Sequence, residues 1–276
     1  MLIESFMLKD TIILDKNDSL AQFIRQIEKT GIDKALVTGY NQEGVKKLCG
    51  VVTSRDVLIK IVSERLRRTS LGRLRVSGFM TENPYRASLT TDIGAVVKIM
   101  SSRGYGIIPV ENGSLHGAIL RVELLKLLFE DDTIIKNLVD NRPLKVKPDD
   151  SLLALRQKIV STDKSYAVVI SPSGDPLGYI TIKEVAYAFA TFLKNIPERF
   201  RKERISQLLV QDYMKKIDLE VRDTVSVGDV ARKLYDARLK GAIVVGDEGF
   251  KGVITDAELI NYLAINLLLG KQIGGQ

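Results

Sequence analysis

The stretch Gly50-Val-Val-Thr-Ser-Arg-Asp56 ends an apolar strand, then offers a hydroxyl and, three residues on, an acid. The same grammar returns as Gly117-Ala-Ile-Leu-Arg-Val-Glu123, Gly178-Tyr-Ile-Thr-Ile-Lys-Glu184 and Gly252-Val-Ile-Thr-Asp-Ala-Glu258. Successive glycines stand 67, 61 and 74 residues apart. So long and uneven a period marks a repeated small domain, since thin solenoids keep one period of roughly 20–50 residues. A unit of this size has a marginal core alone, and pairing with a neighbour is expected.

Working outward, each glycine follows a polar turn and an apolar strand: Ala35-Leu-Val37, Ile107-Ile-Pro-Val110, Ala167-Val-Val-Ile170 and Ala242-Ile-Val-Val245. Further upstream, Asp18-Ser19, Thr91-Asp92, Asp150-Ser151 and Val225-Ser226 precede segments of helical character, Leu20–Thr30, Ile93–Arg103, Leu152–Ser161 and Val227–Leu239. Ser and Asp suit those places because their oxygens accept from backbone N–H groups left unpaired in a first helical turn. In the second copy Ile93, Val96, Val97 and Met100 recur on one helical face. The unit reads strand, helix, strand, hairpin, strand, helix. The fold class is α+β, in four copies over residues 1–69, 70–130, 131–196 and 197–276.

Phe79-Met-Thr81, Gly104-Tyr-Gly-Ile-Ile-Pro-Val110 and Gly50–Val57 resemble the CBS domain, and the resemblance runs over nearly the whole chain. It implies two Bateman modules, residues 1–130 and 131–276, with a boundary near Asp131-Asp132, packed as a flat disk. The layout is similar to that of archaeal stand-alone CBS proteins and of the gamma subunit of AMP-activated protein kinase. The function so implied is non-catalytic: a sensor for AMP, ADP or ATP, or for S-adenosylmethionine, held in clefts between paired repeats and read by an effector protein.

In that reading Thr53 and Asp56 hold a ribose, since an ionised carboxylate accepts from both hydroxyls of a diol. Lys34 and Arg55 are the phosphate candidates. Tyr85, Tyr105, Gly106 and Ile107 would face the base, with Gly106 allowing close backbone approach. In the second module the corresponding residues are Thr181, Glu184, Thr255, Glu258, Ala167 and Gly241. Thr-x-x-Glu before a helix is also a capping box that needs no ligand, and Thr181–Glu184 and Thr255–Glu258 fit that reading. Leu120 replaces the hydroxyl in the second copy, which makes its pocket the weakest.

The chain has 276 residues, 45% apolar and 27% charged, with a net charge of +7. Such a charge serves solubility, or an anionic partner. Basic stretches follow copies one and three, within residues 65–75 and at 199–204. They leave open a second function, binding of nucleic acid or of an acidic protein, and a third, a scaffold whose Thr-x-x-Glu elements are only caps. His116 is the sole histidine and Cys49 the sole cysteine, so His clusters for a metal and an intrachain disulfide are excluded. No Gly-x-x-x-x-Gly-Lys-Ser/Thr loop or Gly-x-Ser-x-Gly elbow occurs. No apolar run approaches the roughly 20 residues of a membrane span, the start lacks a signal-peptide pattern, and the expected compartment is the cytoplasm. The apolar segment Leu259–Leu269 suits a module cap or a homodimer contact.

Overall fold

The computed structural model describes residues 3–63 and 68–270. The four opening helices start at the expected caps. Ser19, Asp92, Ser151 and Ser226 accept from the N–H groups of Gln22, Ala95, Ala154 and Asp229. The helices run Leu20–Thr30, Ile93–Arg103, Leu152–Thr162 and Val227–Asp236. The last ends before Leu239 because the chain turns through a left-handed residue, Arg238, at φ 53°. Gly31, Gly104 and Asp163 make the same left-handed exit in the other copies. Arg238 holds this strained place while its guanidinium bonds Glu123 at 2.5 Å.

In repeats one, three and four a short first strand lies parallel to an inner strand, which pairs antiparallel with a second strand. The inner strands are Lys34–Tyr40, Tyr166–Ile170 and Gly241–Gly246; the second strands are Lys46–Thr53, Pro176–Thr181 and Gly249–Thr255. Repeat two keeps the hairpin Ile107–Asn112 and Ser114–Leu120, and its first strand shrinks to a parallel bridge from Ala87 to Val110. Lys34, Ile107, Tyr166 and Gly241 stand opposite Thr53, Leu120, Thr181 and Thr255, which fixes the equivalences among repeats.

The motif opens on glycine for a physical reason. At each one the leading segment of the module partner crosses the second strand. A Cβ at Gly50, Gly117, Gly178 or Gly252 would fall on the carbonyl oxygen of Thr81, Leu8, Lys215 or Asp140 respectively. Each repeat thus lends a segment to its partner's sheet, and only glycine permits that approach. A β-bulge lies beside each crossing on the second strand, where Cys49, His116, Leu177 and Lys251, each just before its glycine, have no residue opposite on the inner strand.

Four apolar clusters close the repeats into a ring. Leu36, Leu48 and Val51 meet Ile107, Ala118 and Leu120 between the sheets of repeats one and two. Tyr166, Val168 and Tyr179 meet Ile243 and Val253 between repeats three and four. Helices join the modules: repeat one shares a core with repeat three, and repeat two with repeat four. The closing helix of repeat four, Asp256–Leu268, buries Leu259, Ile260, Leu263 and Ala264 in the core shared with repeat two. The apolar segment therefore seals the junction between modules, while Ile265, Leu268 and Leu269 remain exposed.

Closing helices show what the missing hydroxyl costs. Thr53, Thr181 and Thr255 cap the α-helices Ser54–Lys60, Ile182–Asn195 and Asp256–Leu268. Leu120 makes no such bond, and Arg121–Leu128 winds as a 3₁₀ helix.

Candidate functional site

A cavity of about 800 Å³ opens where the four repeats meet, a size suited to one small-molecule ligand. Its walls include all eight first-module candidates: Lys34, Thr53, Arg55, Asp56, Tyr85, Tyr105, Gly106 and Ile107. Thr255 and Glu258 line the same cavity. Thr181, Glu184, Ala167 and Gly241 do not. Thr181 and Glu184 are buried, and Tyr166 and Tyr179 stack with centroids 5.0 Å apart in the sheet interface beside them. The Tyr179 hydroxyl donates to Asp218 at 2.5 Å. Burial, Asp218 and Glu184 push both tyrosines well above the ordinary phenol range.

Asp56 sits on the wall with three acceptor positions in use. Oδ2 accepts from the Thr53 backbone N–H at 2.8 Å and the Thr53 hydroxyl at 2.7 Å, and Oδ1 accepts from Thr81 at 3.1 Å. A carboxylate has about four such positions, so one remains for a ligand hydroxyl. The expected contrast between a ligand-ready Asp56 and merely capping glutamates does not hold as drawn. Thr53–Asp56 is itself a complete capping box, like Thr181–Glu184 and Thr255–Glu258. The shorter Asp differs in keeping its second oxygen beside Thr81 at the cavity wall.

Other candidates are placed together but engaged differently from the sequence reading. A Cβ on Gly106 would meet the Lys34 side chain at 2.6 Å, so the space over that glycine is filled by the Lys34 stem. The Lys34 ammonium pairs with Asp33. Arg55 reaches across to repeat three, bonding the Asp163 carboxylate at 2.8 Å and the Asp163 carbonyl at 2.9 Å. It joins the modules from within the Thr53–Asp56 turn. Tyr85 and Tyr105 stand exposed at the rim, 37% and 38% accessible, free to stack on a flat ring.

Sequence reasoning missed the charged hub behind these walls. Asp256, the first residue of its helix, takes Lys240 at 2.8 Å and Arg121 at 3.5 Å. Burial drives Lys240 below its ordinary range, assisted by Arg121 and Lys34 and opposed by Asp256. Burial alone would raise Asp256, yet Lys240 and Arg121 hold it below the usual carboxylate range. Lys34 does the same for Asp33, again against burial, with help from Lys240 and Lys183. The available signal was positional: Asp33 and Lys240 both precede an inner strand, and Arg121 and Asp256 both open a closing helix. Each pair becomes one cluster only when four copies share an axis.

The basic stretches are partly structural. Arg201 is 6% exposed and donates to the carbonyls of Leu193, Ile196 and Thr69, which ties the two stretches together. Arg199 and Arg204 lie over the Phe200 ring. Arg65, Leu66 and Arg67 lie outside the described residues.

The family model for the CBS domain matches residues 3–63, 76–130, 135–191 and 210–265. The chain belongs to the CBS domain family. Among curated CBS relatives, the CBS domain-containing protein CBSCBSPB1 of Arabidopsis thaliana is 20% identical over 94% of this chain and 40% of its own length. MJ1404 of Methanocaldococcus jannaschii is 19% identical over 95% of this chain and 62% of its own. The chain thus spans between about two fifths and three fifths of these two relatives. MJ1225 of Methanocaldococcus jannaschii, proposed to be an archaeal homolog of g-AMPK, superposes with a TM-score of 0.80. That structure is 16% identical and matches 95% of this chain and 100% of its own, a likeness of fold. No helix among the described residues is long and apolar enough to cross a membrane.

Proposed function

We propose that this CBS protein is a non-catalytic regulatory module that binds an adenosine compound between its paired repeats. AMP, ADP, ATP and S-adenosylmethionine form the candidate set. The observation that carries the reading is Asp56: a half-buried carboxylate on the wall of a ligand-sized cavity, with one acceptor position left and two exposed tyrosines nearby. In this reading a ribose hydroxyl bonds Asp56 while the base lies against Tyr85 or Tyr105. Arg55 supplies a route for the signal. It joins the ribose-binding turn to Asp163 of the other module, so occupancy next to it changes the energy of that contact. An effector protein would then read the altered surface.

Isothermal titration calorimetry on the full chain tests this, with wild type beside Asp56→Asn. Asn keeps an acceptor for the Thr53 cap but offers an amide where the ligand hydroxyl needs an oxygen. One adenosine compound binding the wild type, at least tenfold weaker in the variant with an unchanged melting temperature, supports the reading. Equal affinity in both proteins would remove Asp56 from the site.

A further inference from the structure

The cavity wall carries its own counter-ions. Of the basic side chains that line it, Lys34 is paired with Asp33, Arg55 with Asp163, Lys164 with Asp140, and Arg121 and Lys240 with Asp256. Arg103 is the exception, an exposed guanidinium with no ion pair among the described residues. On the acidic side, Asp56, Glu82 and Glu258 line the cavity and none has a cation within 4.0 Å among the described residues. Three carboxylates thus stand against one guanidinium.

Helix ends repeat the pattern. The N-terminus of a helix is a ready anion site because its dipole and free N–H groups face outward. In this chain Asp56 and Glu258 already occupy two of those ends as caps, and Asp256 opens the second of those helices. Away from Arg103, a phosphate chain would have to displace a carboxylate from a paired cation, or sit beside Asp33, Asp56 or Glu82 at close range. Both alternatives are unfavourable in a partly desolvated cavity.

Resting on the adenosine reading above, we infer that this cavity selects an adenosine compound without a phosphate chain, neutral or cationic at its 5′ end, over AMP, ADP and ATP. A thioether or a sulfonium meets the wall without opening an ion pair. A cationic sulfonium gains in addition from the unpaired carboxylates, of which Glu82 is the exposed one.

The test is titration of the full chain with adenosine, 5′-methylthioadenosine, S-adenosylmethionine, AMP and ATP at physiological salt. The expected result is that 5′-methylthioadenosine or S-adenosylmethionine binds at least tenfold tighter than AMP and ATP. Glu82→Gln, an exposed change that leaves the core intact, should weaken S-adenosylmethionine several-fold and leave 5′-methylthioadenosine unmoved. AMP or ATP binding as tightly as the phosphate-free compounds overturns the inference and leaves the adenosine reading standing. A Glu82→Gln protein with unaltered S-adenosylmethionine affinity overturns the electrostatic reason for it. No binding by any of the five overturns both.

Discussion

Asp256→Asn removes the one negative charge between two buried cations, and its consequence can be worked from the geometry. The Asp256 side chain is 8% exposed, with Lys240 at 2.8 Å and Arg121 at 3.5 Å, side chains 22% and 10% exposed. The amide leaves both cations buried and uncompensated. Breaking a buried pair in this way costs about 3–5 kcal/mol. At about 2–4 °C per kcal/mol for chains somewhat shorter than this one, the melting temperature should fall by about 6–20 °C at pH 7. The penalty should also depend on pH, with a definite sign. Burial, Arg121 and Lys34 already hold Lys240 below its ordinary range, and loss of Asp256 pushes it lower. A lysine whose folded value is depressed is protonated more in the unfolded chain, so raising pH stabilises the fold. As pH rises toward the ordinary lysine range, about 10.4, the difference between variant and wild type should therefore narrow, by at most about 1.4 kcal/mol per pH unit. Thermal melts of both proteins from neutral pH toward that range provide the assay. A drop under about 2 °C, or one that stays constant with pH, would refute the claim that charge compensation holds the hub together.

Gly178→Ala should destabilise by a few kcal/mol, because its methyl would strike the Lys215 carbonyl of the crossing segment; urea melts read the loss. Ultraviolet titration of the nine tyrosines should leave Tyr166, Tyr179 and Tyr213 protonated after the others ionise. Their folded values are raised, so the stability they contribute is present below about pH 10 and is lost as pH rises beyond it, which alkaline melts would show. Thr255→Ala should cost about 1 kcal/mol through loss of the cap on Asp256–Leu268, read by chemical denaturation.

Much of the fold was legible in the primary structure because its signals are local. Ser19, Asp92, Ser151 and Ser226 cap helices whatever surrounds them, since the acceptor and the unpaired N–H lie three residues apart. Leu120 marked repeat two as the copy without the hydroxyl, but the uncapped 3₁₀ winding of Arg121–Leu128 was not read from it. The candidate site was half legible. Residues near Asp56 do share one cavity, but Lys34 and Arg55 read as free phosphate ligands and are held by Asp33 and Asp163. Asp33 adjoins Lys34, whereas Asp163 is more than a hundred positions from Arg55, beyond the reach of any local pattern.

By itself the sequence determined that there are four copies of one α+β unit and that Ser19, Asp92, Ser151 and Ser226 start a helix in each. Those properties follow from backbone hydrogen bonding and short-range periodicity. Only the tertiary structure decided that repeat one meets repeat three while repeat two meets repeat four, and that Arg121, Lys240 and Asp256 become one buried cluster. The reason is that burial and charge pairing depend on distance through space, and the ring brings together side chains that the chain itself keeps far apart.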